Sequence, residues 1–96
     1  MRPSEAIELH RDAIRRIAES HRVRNVRVFG SASRGTDTEA SDLDLLVEPT
    51  EKTTLLDLAA ITMELQKLLG VDVDVLTPNS LPDKFRARVE SEALPV

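Results

Sequence analysis

Phe29-Gly30-Ser31-Ala32-Ser33-Arg34-Gly35, and then Ser41-Asp42-Leu43-Asp44-Leu45-Leu46-Val47, is the stretch on which the reading of this chain turns. Before it, Val26 and Val28 alternate with Asn25 and Arg27, which predicts a half-buried strand over Asn25–Phe29. Gly30 to Ser41 holds two of the three glycines and is otherwise mostly small and polar, so it forms a loop or a short turn of helix. Asp42 to Glu48 is a second strand that Pro49 stops. Leu43, Leu45 and Val47 face one way, and Asp42, Asp44, Leu46 and Glu48 the other. Asp42 and Asp44 therefore project together, roughly 7 Å apart. Two ionised carboxylates that close repel each other, and a divalent cation relieves the repulsion. All-oxygen ligands suit magnesium. Leu46 on the acid face implies that this face is only partly solvated.

Upstream, Ala6, His10, Ala13, Ile14, Ile17 and Ala18 recur at helical spacing, which predicts an amphipathic helix over Ser4–His21 with Ser4 as N-cap. Downstream, Thr53 or Thr54 caps a helix running to Leu69, with Leu55, Leu58, Ile61, Thr62, Leu65, Leu68 and Leu69 on its buried side and Gly70 just past its end. Val71–Leu76 alternates strictly and is a third strand, ending before Thr77-Pro78. Ser80 and Pro82 open a last helix in which Phe85 and Val89, four apart, dock together. The order α-β-β-α-β-α, within one domain spanning 1–96, predicts an α/β (α+β) fold: a small mixed β-sheet with flanking helices. The helical crossover permits parallel pairing of the second and third strands.

A glycine-serine turn, a strand-borne acid pair and a third acid on a nearby strand compose a metal-triphosphate site. Gly30 lacks a Cβ, so backbone N–H groups can approach phosphate oxygens. The Ser31 hydroxyl can donate to a phosphate oxygen, Arg34 adds positive charge near a leaving group, and Gly35 lets the loop reverse. Asp74 is the candidate third carboxylate; Asp72 shares its face and is read as a polar residue on the wet side of an edge strand. Two metals ~3.5–4 Å apart could bridge the three acids, and a metal-bridging carboxylate is a reasonable general base. Each element alone is common by chance; the joint arrangement is far less so. His10 and His21 lie far from the acids in sequence and are read as helix-face or surface residues.

Composition narrows the classes. The 96 residues contain no cysteine, which excludes a disulfide scaffold, a thiolate zinc site and a cysteine nucleophile. A net charge of −4 argues against stable nucleic-acid binding, and two aromatic residues, Phe29 and Phe85, make a base-stacking platform implausible. No signal-type h-region and no stretch of ~20 apolar residues is present, so a cytoplasmic protein with no membrane association is expected.

Gly30-Ser31, ten intervening residues and Asp42-Leu43-Asp44 resemble the signature of the DNA-polymerase-β-type nucleotidyltransferase superfamily. The fuller runs from Phe29 to Gly35 and from Ser41 to Val47, with Val73-Asp74-Val75-Leu76-Thr77-Pro78-Asn79-Ser80-Leu81, are similar to the minimal nucleotidyltransferases, among them the MntA-type antitoxins that act beside HEPN-domain ribonuclease toxins. The resemblance covers nearly the whole chain. It implies the nucleotidyltransferase fold, triphosphate binding by Gly30 and Ser31, magnesium ligation by Asp42 and Asp44, and Asp74 as metal ligand and base. The implied reaction transfers AMP from ATP, with Mg2+ (two ions), to a tyrosine hydroxyl of a HEPN toxin, releases pyrophosphate and silences the toxin. A chain this small carries no separate acceptor domain, which favours a protein acceptor. Two alternatives stand beside this reading: an antitoxin that works by occlusion, docking through Leu94 and Val96, and an enzyme that modifies a small molecule.

Overall fold

In the computed structural model, which describes residues 1–96, the chain runs α1 (Pro3–Glu19), β1 (Val23–Phe29), α2 (Ser31–Arg34), β2 (Leu43–Pro49), α3 (Leu55–Leu69), β3 (Val73–Leu76), a 3₁₀ turn (Pro78–Ser80), α4 (Asp83–Glu92) and β4 (Leu94–Pro95). The strands form one mixed sheet in the order β3-β2-β1-β4. β2 and β3 are parallel, and β1 is antiparallel to both β2 and β4. The expected α/β architecture is therefore present, with one strand more than the sequence announced.

Arg2, not Ser4, is the N-cap of α1. Pro3 has no N–H to satisfy and suits the first helical position. The Ser4 N–H is instead taken by a distant residue, donating to Asp37 Oδ2 at 2.7 Å. The helix breaks at His10 (φ −128°, ψ 25°) and ends at Glu19, short of His21. β1 starts at Val23, two residues before the expected Asn25. A bulge between Arg24 and Arg27, with Asn25 at φ 51°, interrupts the alternation that would have revealed the earlier start. Pro49 is the last residue of β2 and pairs with Val23 rather than lying beyond the strand.

Thr54 caps α3: its side chain accepts the Asp57 N–H, and Asp57 Oδ2 accepts the Thr54 N–H at 2.8 Å. Thr53 is committed elsewhere, to the Arg22 carbonyl. Because Asp57 is buried by this cap, the inward stripe of α3 is Asp57, Ile61, Leu65 and Leu69. Leu55 lies two residues, or about 200°, from Asp57. It is 83% exposed, and Leu68 is exposed too, contrary to expectation. Gly70 (φ 70°) ends the helix as expected, donating to the Gln66 carbonyl.

β3 is shorter than expected: Val71 and Asp72 lie outside it, though the Asp72 carbonyl accepts the Leu43 N–H at 2.8 Å. On α4 the expected pair splits. Val89 packs against the sheet, while Phe85 stays exposed with Lys84 Nζ 5.0 Å from its ring centre. The C-terminal segment is not a free docking tail. Leu94 and Pro95 pair with β1, and Val96 is buried, its N–H donating to the Val26 carbonyl at 3.0 Å.

The sheet has two unlike faces. Leu43, Leu45, Val47 and Val73 pack with Val28 against Ile14, Ala18, Ile61 and Leu65 of α1 and α3 in a core of 15 buried residues. On the other face Phe29, Leu46 and Leu81 form a small buried cluster, edged by Leu76, Val89 and Ala93. No helix is long and apolar enough to cross a membrane.

Candidate active site

The acids lie on the thinly covered face. Asp44 follows from strand alternation: it sits between Leu43 and Leu45, which enter the main core, and so points the other way with Leu46. In the parallel pairing of β2 and β3, Asp44 stands directly opposite Asp74. Asp42 lies just before β2, exposed. Partial burial, then the negative charges of Asp74 and Asp42, push the Asp44 carboxyl up to about 6, against a lowering by Arg34. The structure thus brings together all three acids that the sequence singled out. It leaves Asp72 exposed and outside the strand. His21 is remote, pairing with Glu64 between α1 and α3.

Gly30 lies between β1 and α2, with φ 74° and ψ −153°. A Cβ there would lie 2.4 Å from Asp44 Oδ2. The sequence explained this glycine by the approach of phosphate; the nearer reason is that the Asp44 carboxylate already occupies the space a side chain would need. Ser31 opens the four-residue helix α2, half-buried, and its hydroxyl makes no hydrogen bond within the chain. The Ser33 hydroxyl donates to the Gly30 carbonyl at 2.8 Å, which stiffens the turn.

Two residues of this region gave no signal in the sequence. Glu92, in the last turn of α4, accepts the Gly30 N–H at 3.2 Å and the Arg34 guanidinium at 2.9 Å, both on Oε1. Asp37 is 5% exposed. Burial opposes its ionisation, but hydrogen bonds from Ser4 and from its own backbone outweigh burial and hold the carboxyl below its ordinary range. Asp37 so ties the segment between Ser31 and Asp42 to the start of α1. Both contacts cross large sequence separations, and no local period marks them.

The three carboxylates are neighbours but not a closed metal cage: no three acidic or histidine side chains are already gathered closely enough to hold an ion. The donor chemistry nevertheless fits one. Burial and two acidic neighbours oppose the ionisation of Asp44, with Arg34 offsetting only part of this; its ligand atoms are hard oxygens, and Asp42 and Asp74 are exposed beside it.

Residues 7–96 match the family model of the nucleotidyltransferase domain. A candidate protein adenylyltransferase of Methanocaldococcus jannaschii is 43% identical over 76 residues, 79% of this chain and 82% of that protein. The protein adenylyltransferase MntA of Thermococcus cleftensis is 36% identical over 78 residues, 81% of this chain and 79% of its own. Among solved structures, a candidate minimal nucleotidyltransferase superposes with a TM-score of 0.87 at 42% identity, covering 97% of this chain and 95% of the other. A toxin–antitoxin complex with AMP-PNP shares the fold at a TM-score of 0.75 and 21% identity, covering 88% of this chain and 69% of that one.

Proposed function

For a chain that belongs to the nucleotidyltransferase family, in its minimal, MntA-type antitoxin branch, and is an enzyme of that class, we propose this reaction: AMP passes from ATP to a tyrosine hydroxyl of a partner HEPN ribonuclease toxin, which is thereby silenced. The observation that carries the reading is Asp44 held opposite Asp74 beside the Gly30–Ser31 turn. The naming of the M. jannaschii and T. cleftensis relatives as protein adenylyltransferases supports a protein acceptor. The likeness to a toxin–antitoxin complex holding AMP-PNP supports the toxin and the nucleotide.

Asp42, Asp44 and Asp74 would hold divalent magnesium, two ions where all three acids are shared. Bound there, the metal supplies positive charge that favours an ionised acceptor oxygen and stabilises charge on the departing pyrophosphate. The chain's own groups do the rest. The Ser31 hydroxyl donates to a phosphate oxygen, and the Gly30 N–H does the same once Glu92 releases it. The Arg34 guanidinium offsets charge on the leaving group. The tyrosine oxygen bonds to the α-phosphorus, the α–β bridging bond breaks, and pyrophosphate leaves. Asp74, the more exposed of the paired acids, takes the tyrosine proton. The setting is the cytoplasm, where ATP and an RNA-cleaving toxin meet.

The test is to incubate the protein with its partner toxin, magnesium and α-labelled ATP, and to follow intact masses. Labelled AMP on the toxin, absent with Asp42→Asn, is the expected result. A stable complex without transfer would favour occlusion. That second reading draws on one observation, the exposed apolar residues Leu55, Leu56 and Met63 on α3. Label found only on a soluble metabolite would favour a small-molecule acceptor.

A further inference from the structure

Glu92 is the one acidic side chain that grips the phosphate turn. The Gly30 N–H has a single hydrogen, and Glu92 Oε1 holds it while also accepting from Arg34. These are two of the three donors that the proposed function assigns to the triphosphate, the third being the Ser31 hydroxyl. A carboxylate and a polyphosphate cannot share the Gly30 N–H, and their like charges repel at such range. Resting on that ATP reading, we propose that Glu92 is a latch on the nucleotide site: its carboxylate stands in for a phosphate, and ATP enters by displacing it.

Three further features fit a latch better than a simple structural contact. Glu92 lies at the C-terminal end of α4, where no basic residue accompanies it and the helix dipole disfavours negative charge. Its position is offset by the contacts to Gly30 and Arg34, not by its own helix. α4 is lightly held: none of its residues is fully buried, and its apolar contact with the sheet runs through Val89. Release of its last turn therefore opens little buried surface. Finally, Ala93 alone separates Glu92 from β4, whose two residues pair with β1 at Arg27 and Val28. Displacement of Glu92 loosens that edge of the sheet, so nucleotide occupancy is transmitted to the β4 edge.

The experiment measures binding of AMP-PNP with magnesium to the full chain by calorimetry, for the wild type, Glu92→Gln and Glu92→Ala. Glu90→Gln serves as a control, because Glu90 is exposed and makes no hydrogen bond or ion pair. Removing a competing charge-assisted contact should tighten binding about tenfold in both Glu92 variants and less than about twofold in Glu90→Gln. Amide exchange across residues 90–96 should quicken in the wild type when AMP-PNP is added. In Glu92→Ala it should be fast from the start.

Unchanged or weaker binding in both Glu92 variants overturns the latch while leaving the ATP reading intact. Equal tightening in Glu90→Gln shows that bulk charge alone is responsible and also overturns it, as does slower wild-type exchange on adding AMP-PNP. Absence of binding in every variant overturns the ATP reading and the latch with it.

Discussion

The two faces of the same four-stranded sheet are finished to different degrees. One is sealed by α1 and α3 over 15 buried residues. The other buries only Phe29, Leu46 and Leu81, and leaves Asp42 and Asp74 in solvent beside a half-buried Asp44. A single strand serves both. On β2, Leu43, Leu45 and Val47 enter the sealed face, while Asp44 and Leu46 alternate with them on the open one. The open face carries a carboxyl whose ionisation is opposed by its surroundings, and that opposition is tolerable because the sealed face holds the fold. Stability and chemistry are thus separated by strand alternation.

The separation can be broken most sharply at Asp44. Asp44→Asn should reduce AMP transfer by about a thousandfold or more, in line with the several kcal/mol that a metal-held site contributes. It should not unfold the protein. The Asp44 carboxyl is raised from 3.8 to about 6, so the stability linked to it is present below about pH 4 and lost as the pH rises through about 6. The neutral variant should therefore melt higher than the metal-free wild type above pH 7 and equally near pH 4, as calorimetric scans at the two pH values would show. A lower Tm at pH 8 would mean that Asp44 is a structural residue.

Next come paired truncations on the two faces. Leu45→Ala should cost about 3–5 kcal/mol in urea unfolding, and Leu46→Ala about 2–3 kcal/mol, because the smaller cluster relaxes more readily around the gap. Equal losses would erase the distinction between the faces. A smaller effect is expected from pH. The metal-free Asp44 carboxyl is raised to about 6, so magnesium competes with its proton, and the magnesium concentration that half-saturates transfer should bend upward below about pH 6. A bend near pH 4 would place Asp44 in a less opposed setting. Smallest is Thr54→Ala, which removes the cap of α3 on the sealed side. It should lower stability by about 1 kcal/mol and leave kcat/KM unchanged.

Much of the site was legible because its signals are local. Asp42 and Asp44 share a face by strand period, and Gly30-Ser31 marks a turn, so both could be placed without knowing the sheet order. The errors fall where a distant partner decides. Ser4 looked like a cap until Asp37 took its N–H. Leu55 looked buried until the Thr54–Asp57 cap rotated the inward stripe away from it. Whether the C-terminal residues pack on the core or dock on a partner stayed open, because two residues of strand carry no readable period.

The sequence by itself determined the three long helices, three of the four strands, and the alternation that puts carboxylates on one face of β2. These follow from periods of 2 and 3.6 residues and from side-chain chemistry, which act over a few neighbours. Only the tertiary structure decided that Asp74 stands opposite Asp44, that Gly30 is required by the Asp44 carboxylate, and that Glu92 holds the turn. Those relations join residues from 14 to 62 positions apart in the chain. Strand register and helix docking set them, and both are products of global packing that no local pattern encodes.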